Sequence, residues 1–237
     1  MKATTPVPSA SPPLLYTYRR CPYAMRARMA LLVANVAFDA HEIVLRDKPA
    51  AMLNRSPKGT VPVLVLSSGQ VLEQSWHIVE WALTQNHATA EVQYWWLQAQ
   101  TPDNLELLHR NDEDFKYHLD RYKYPERFAT SGNAEATDEP TGHRDQAVKV
   151  LLEPLEQRLA KEPFLGGTQP CATDLGIFPF VRQFAAIDPP WFDSLPLAHV
   201  KNWLTYWLGS PLFEACMQKL PSNVTTPFPV PVAKGLW

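Results

Sequence analysis

Apolar and polar positions alternate with two different periods along this chain. "LLYTY" (14–18) is a short strand-type run ended by charge. "PYAMRARMALLVAN" follows with apolar residues at 25, 29, 32, 33 and 36, the spacing of a helix, and Pro22 suits its first turn because the missing N–H costs nothing there. "AHEIVL" reads as a second strand and "KPAAMLNR" as a short helix. "VPVLVL" and "VLEQ" form a hairpin across Ser-Ser-Gly-Gln, and "SWHIVEWALTQ" opens on Ser75, a residue able to cap a helix. The predicted order over residues 14–86 is β-α-β-α-β-β-α, an α/β domain.

Past a linker at "NHATAE" the strand pattern stops. "VQYWWLQAQTPDNLELLHRNDEDFKYHLDRYKY" is helix-periodic, and three further apolar-spaced segments follow, so residues 92–220 predict an all-α helical bundle. "ATSGNAEATDEPTG" is a polar loop between the first two helical stretches. Residues 1–13 read as a disordered leader, and the proline-rich residues 221–237 as an extended tail laid over the surface by its aromatic side chains.

Composition narrows the classes. Hydrophobic residues at 46% and charged residues at 19% describe an ordinary globular chain, and a formal net charge of -2 argues against a nucleic-acid partner. The most apolar segment, "MALLVANVAF", is too short for a membrane span. Cys21, Cys171 and Cys216 are far apart and odd in number, which builds neither a disulfide framework nor a zinc site and places reduced thiols in a cytoplasm. His109 and His118 have no third ligand at metal spacing, so no metal is assigned.

The chemistry concentrates in "RRCPYAMRAR". Cys21 stands at a predicted helix start, where unpaired N–H groups and the dipole favour a thiolate, and Arg19, Arg20, Arg26 and Arg28 add positive charge nearby in sequence. The expectation is an exposed sulfur that is ionised at neutral pH. A buried, inert cysteine is the competing reading, and the favoured one for Cys171 and Cys216. Ala24 stands where a dithiol site would carry its second cysteine, so an outside thiol must resolve any mixed disulfide formed on Cys21.

A cysteine at the first helix start, "LRDKP", "SPKGTVPVL", and "EQS" followed by Ile78, with a helical second half, together resemble the cytosolic glutathione transferases, most of all their cysteine-containing omega-like group of bacterial type. The resemblance spans residues 14–220. It implies a thioredoxin-like N-terminal domain plus a helical bundle, a cytoplasmic homodimer, and glutathione as co-substrate.

Residue by residue, the resemblance implies Cys21 as catalytic group and a cis bond between Val61 and Pro62 that leaves Val61 free to pair with a bound tripeptide. Ser75 matches the serine that holds the γ-glutamyl carboxylate, and Lys48 the lysine near the glycine carboxylate. Gln74 sits where many relatives carry an acid, so Glu73 is its alternative for the α-amino group. Tyr16 is a rival thiolate donor or a core aromatic. Tyr117, His118 and Tyr122, on a stretch that also holds Phe115 and Tyr124, are candidates for an acceptor pocket or an aromatic core stripe. Asp174 matches a structural capping aspartate; Cys171 stands where its Ser or Thr partner is expected, a change worth about 1 kcal/mol of capping. The implied function is a glutathione-dependent thiol transferase or dehydroascorbate-type reductase acting on a small-molecule or protein disulfide. Conjugation of glutathione to an electrophile, or a non-catalytic protein-binding module, are the alternatives.

Overall fold

The computed structural model describes residues 11–85, 88–128 and 139–229. The first half contributes β1 (Leu14–Thr17), α1 (Pro22–Val33), β2 (Asp39–Glu42), α2 (Ala50–Arg55), β3 (Val63–Val65), β4 (Val71–Leu72) and α3 (Ser75–Leu83). β1 runs parallel to β2 and antiparallel to β3, and β4 closes the hairpin on β3, with Gly69 at φ +86° in its turn. The left-handed φ is why a glycine serves there. The order β-α-β-α-β-β-α is the one the sequence pattern predicts, and the arrangement is the thioredoxin-like one that the resemblance implies.

The helical half begins with α4 (Ala90–Ala99), capped by the Thr89 hydroxyl, which accepts the Val92 N–H at 3.3 Å. The long periodic stretch is not one helix. It breaks at Thr101, and α5 (Pro102–Arg110) then runs through a π-helical turn (Asn111–Phe115) into α6 (Lys116–Lys123). The break falls where Pro102 has no N–H to offer α4 and clashes with its last turn. α7 (Pro140–Ala147) and α8 (Glu153–Leu159) are joined by a second π-helical turn, and α9 (Ala172–Ala185), α10 (Pro189–Ser194), α11 (Ala198–Leu208) and α12 (Pro211–Cys216) complete the bundle. No helix among the described residues is long and apolar enough to cross a membrane.

Two features depart from the sequence expectations. The tail is extended, but as a strand: β5 (Thr225–Pro227) pairs antiparallel with β2, giving a five-stranded sheet of order β4-β3-β1-β2-β5. Phe228 anchors it, stacked on Phe38 with ring centroids 4.8 Å apart and its N–H bonded to the Phe38 carbonyl at 2.9 Å. The end of the leader is likewise tied to the sheet, since Pro13 accepts the Asp39 N–H at 2.8 Å. Residues 1–10 of the leader, 230–237 of the tail, Asn86 and His87 of the linker and 129–138 of the polar loop lie outside the described residues.

The second departure concerns α1, which is buried almost all round, as a helix between two layers must be. Arg26 and Arg28 are each only 1% exposed. Arg28 donates to the Thr17 hydroxyl at 2.5 Å, to the Arg19 carbonyl at 2.7 Å and to the Cys216 carbonyl at 3.0 Å, tying the β1–α1 loop to the end of α12. Arg26 reaches α3, the π-helical turn and α9 at once. Both guanidiniums are placed by what buried cations require, a full set of acceptors. Both act as structural ties, and of the two only the Arg28 charge also bears on the Cys21 thiol.

Asp174 caps α9 as expected. Its carboxylate accepts the Cys171 N–H at 2.9 Å, the Leu165 N–H at 3.1 Å and the Trp203 indole N–H at 2.7 Å. Cys171 completes the reciprocal capping box with its sulfur, so the contact survives the loss of a hydroxyl. Cys171 and Cys216 are buried and burial pushes both thiols up, the inert reading. Tyr16 is a core aromatic: it packs with Ile43, Met52 and Val63, 5.4 Å from the His41 ring, and burial raises its pKa.

Candidate functional site

A groove of about 790 Å³ runs between the sheet's loops and α6. Cys21, Lys48, Val61, Pro62, Glu73, Gln74 and Ser75 all line it. Three short elements bring them together. Cys21 is the N-cap of α1, in extended conformation at φ -74°, ψ 124°, with Pro22 opening the helix behind it. The Val61–Pro62 bond is cis, and the Cys21 sulfur lies 3.8 Å from the Val61 carbonyl oxygen, toward which its S–H points. Ser75 begins α3; Gln74, not Ser75, is the capping residue, because the Ser75 hydroxyl accepts from Arg26 Nη1 at 3.2 Å instead of turning to its own helix.

Lys48 comes from the loop before α2. Its Nζ packs against Gly59, whose φ of +63° a side chain rarely adopts; a Cβ there would meet Leu53 at 3.2 Å and Lys48 Nζ at 3.5 Å. Glu73 accepts the Ser56 hydroxyl at 2.5 Å, and Lys58 Nζ donates to the Glu73 carbonyl at 3.1 Å. The groove therefore has a hydroxyl at a helix start, two lysines, a carboxylate and an exposed edge of backbone at Val61. Those are complements of a small, extended, zwitterionic peptide.

The electrostatics of Cys21 differ from the sequence expectation. Burial pushes the thiol up from its ordinary value. Acting the other way are the Tyr23 and Ala24 N–H groups, and then the charges of Arg28 and Lys116, and these do not outweigh the lost solvation. The sulfur is half-buried rather than open. The physical reason is helix geometry. Arg26 and Arg28 lie five and seven residues into α1, more than a turn from its N-terminus. Arg26 bonds to Ser75, Asp112 and Gly176, and Arg28 to Thr17, the Arg19 carbonyl and the Cys216 carbonyl. Arg20 is exposed and bonds to the Tyr18 hydroxyl at 3.1 Å.

The acceptor side is also corrected. Tyr117 is 49% exposed and lies under the Arg121 guanidinium at 3.5 Å. His118 Nδ1 meets His143 Nδ1 at 2.8 Å, and Tyr122 packs on Phe184 with ring centroids 5.6 Å apart. None of the three lines the groove. Lys116, Asp120, Lys123 and Tyr124 do. Positions 116, 120 and 123 share one helix face, a signal present in the sequence but written in charged residues that resemble a solvated stripe. From the β1–α1 loop, Tyr18, Arg20 and Tyr23 join them. Among the described residues no three His, Cys, Asp or Glu side chains gather as a metal would require.

Comparison with known proteins matches both halves of the chain. Residues 15–91 match the model of the glutathione S-transferase N-terminal domain and residues 141–205 that of the glutathione S-transferase C-terminal domain. Over 209 residues the chain is 26% identical to glutathione S-transferase omega-1 of Mus musculus, covering 87% of this chain and 77% of that protein. Poplar glutathione transferase F1 has the same fold, with a TM-score of 0.70 and 19% identity over 88% of this chain and 97% of that one. A glutathione transferase from Pseudomonas putida, solved with one glutathione disulfide bound per subunit, gives a TM-score of 0.68 and 16% identity over 90% and 94% of the two chains.

Proposed function

The chain belongs to the glutathione S-transferase family, and from that premise we propose that it is a glutathione-dependent thiol transferase or dehydroascorbate-type reductase working through Cys21. The observation that carries the proposal is a single cysteine at a helix N-terminus, on the same groove as the cis Val61–Pro62 bond and Ser75, with Ala24 in place of a resolving thiol. Glutathione binds along the wall of Lys48, Val61 and Ser75, its γ-glutamyl carboxylate at the Ser75 hydroxyl and the start of α3 and its glycine carboxylate at Lys48. The Val61 backbone pairs with the cysteinyl residue as an added strand would.

In the reaction the Cys21 thiolate attacks the glutathionyl sulfur of a mixed disulfide. A new S–S bond forms to Cys21, the old one breaks, and the acceptor leaves as a thiolate that takes a proton from solvent. A second glutathione thiolate attacks the Cys21 mixed disulfide, releasing glutathione disulfide and the Cys21 thiolate. The protein works as a homodimer in a cytoplasmic glutathione pool, with an assembly state to be checked by light scattering.

One observation favours a second reading. A thiol raised by burial is a poor nucleophile at neutral pH and a serviceable hydrogen-bond donor. In that case bound glutathione is the nucleophile, Cys21 only steadies its sulfur, and the product is a conjugate with an electrophile. Incubation with glutathione disulfide followed by peptide mapping separates the two: the first requires one glutathione adduct, on Cys21. No adduct at any pH, with conjugation intact, sinks it.

A further inference from the structure

The cations of the groove are unevenly committed. Lys116 is ion-paired with Asp120, Lys58 donates to the Glu73 carbonyl at 3.1 Å, and Lys48 is assigned the glycine carboxylate of glutathione. At the β1–α1 loop and the end of α6, Arg20 and Lys123 line the groove and form no ion pair among the described residues. Their contacts are aromatic. Arg20 Nη2 donates to Tyr18 Oη at 3.1 Å, with its charge 6.0 Å from that ring, and Lys123 Nζ lies 5.0 Å from the centroid of Tyr124. Arg127, paired with Glu126 at 3.9 Å, stacks 4.0 Å over the same Tyr124 ring without lining the groove. In a chain with a formal net charge of -2, this wall carries the opposite sign.

Two uncommitted cations and two tyrosine rings at the open side of a groove suit one ligand chemistry: a flat body against the rings and an oxygen anion between the charges. We infer that this wall selects acceptors carrying a carboxylate or sulfonate on an aromatic or other planar body, with Arg20 and Lys123 as the specificity-determining residues. The inference rests on the proposed placement of glutathione along Lys48, Val61 and Ser75. It gives the acceptor a class: an anionic aromatic disulfide or electrophile.

The test uses thioethers that bind without reacting. Calorimetry at low salt compares S-benzylglutathione with its 4-carboxybenzyl and 4-aminomethylbenzyl counterparts. The carboxylate compound is expected to bind about three- to tenfold tighter than the neutral one, and the amine weaker by a similar factor, which is what one or two partly screened ion pairs supply. The gap should close at about 1 M salt. Arg20→Gln with Lys123→Gln should bring the three compounds within about twofold of each other, and the Glu pair should reverse their order. Equal binding of all three to the unsubstituted protein overturns the inference and leaves the glutathione site standing. An unchanged order in the Gln pair overturns the assignment to these two residues. Failure of S-benzylglutathione and glutathione alike to bind removes the inference together with the proposed function.

Discussion

Arg26 grips Asp112 with both ends of its guanidinium, at 2.9 and 2.5 Å, and the same side chain holds the Ser75 hydroxyl at 3.2 Å and the Gly176 carbonyl at 2.8 Å. One residue of α1 thus joins α3, the π-helical turn and α9. Gly176 must be a glycine for this approach, because a Cβ would lie 2.9 Å from Leu108 and 3.1 Å from Trp76. The hydroxyl on which glutathione is proposed to settle is held in place by the contact between the two halves.

Arg26→Met is therefore expected to lower unfolding stability by about 3 kcal/mol, since it strands Asp112 and the Gly176 carbonyl together. Asp112→Asn should cost less, about 1–2 kcal/mol, because the amide oxygen still accepts one bond. Urea denaturation checks both, and equal losses would contradict the geometry.

Cys21→Ser is expected to abolish disulfide exchange, by on the order of a thousandfold or more, as removal of a nucleophile does. Conjugation of an aromatic electrophile should persist, because a hydroxyl can still donate to a bound sulfur. Assay of both reactions on one preparation reads the outcome.

The rate of exchange should climb with pH. Only the thiolate attacks, and burial raises the pKa of Cys21, so the reactive fraction at neutrality is below that of a free cysteine. The log of the single-turnover rate is expected to rise with unit slope through neutrality and level off only above about pH 8.5, the value of an unperturbed thiol. A plateau already reached at pH 6 would show that bound substrate reverses the desolvation.

Tyr16→Phe should leave both activities within about twofold and change stability by no more than about 1 kcal/mol, since the ring sits in a small core with Met52 and Val63 and does not line the groove. A loss of conjugation of a hundredfold would reinstate Tyr16 as the thiolate donor.

Phe228→Ala should cost about 3 kcal/mol, the usual penalty for emptying a buried aromatic site, and should release β5 from β2. Faster amide exchange at Ala40 and His41 would report the freed edge.

The order of elements was readable because strand runs and helical spacing alternate without ambiguity before residue 86, and the wall of Cys21, Lys48, Val61, Pro62, Glu73, Gln74 and Ser75 was readable because it lies in contiguous motifs. The opposite wall was not. Aromatic residues attract attention on a helix, yet Phe115 is buried and Tyr122 packs against the core, while the groove receives the charged face of Lys116, Asp120 and Lys123. Proximity in sequence also misled at Arg26 and Arg28. Two helical turns carry a side chain about 10 Å along the axis, so charges clustered on paper with Cys21 are taken up by Asp112, Gly176 and Cys216 from the helical half and, for Arg28, by Thr17 and the Arg19 carbonyl. β5 escaped notice because three residues ending in proline carry almost no pattern, and its pairing is decided by an edge made 180 or more residues earlier.

That edge sets an order of events during synthesis. Residues 39–42 leave the ribosome long before their neighbours at 225–227 exist, so the sheet stays one strand short while the whole helical half is made. The sheet of the amino-terminal half thus takes its edge strand from beyond the helical bundle. A gene cut between the halves would yield a fragment with a bare, pairing-competent flank at β2, the flank that residues 225–227 cover in this chain.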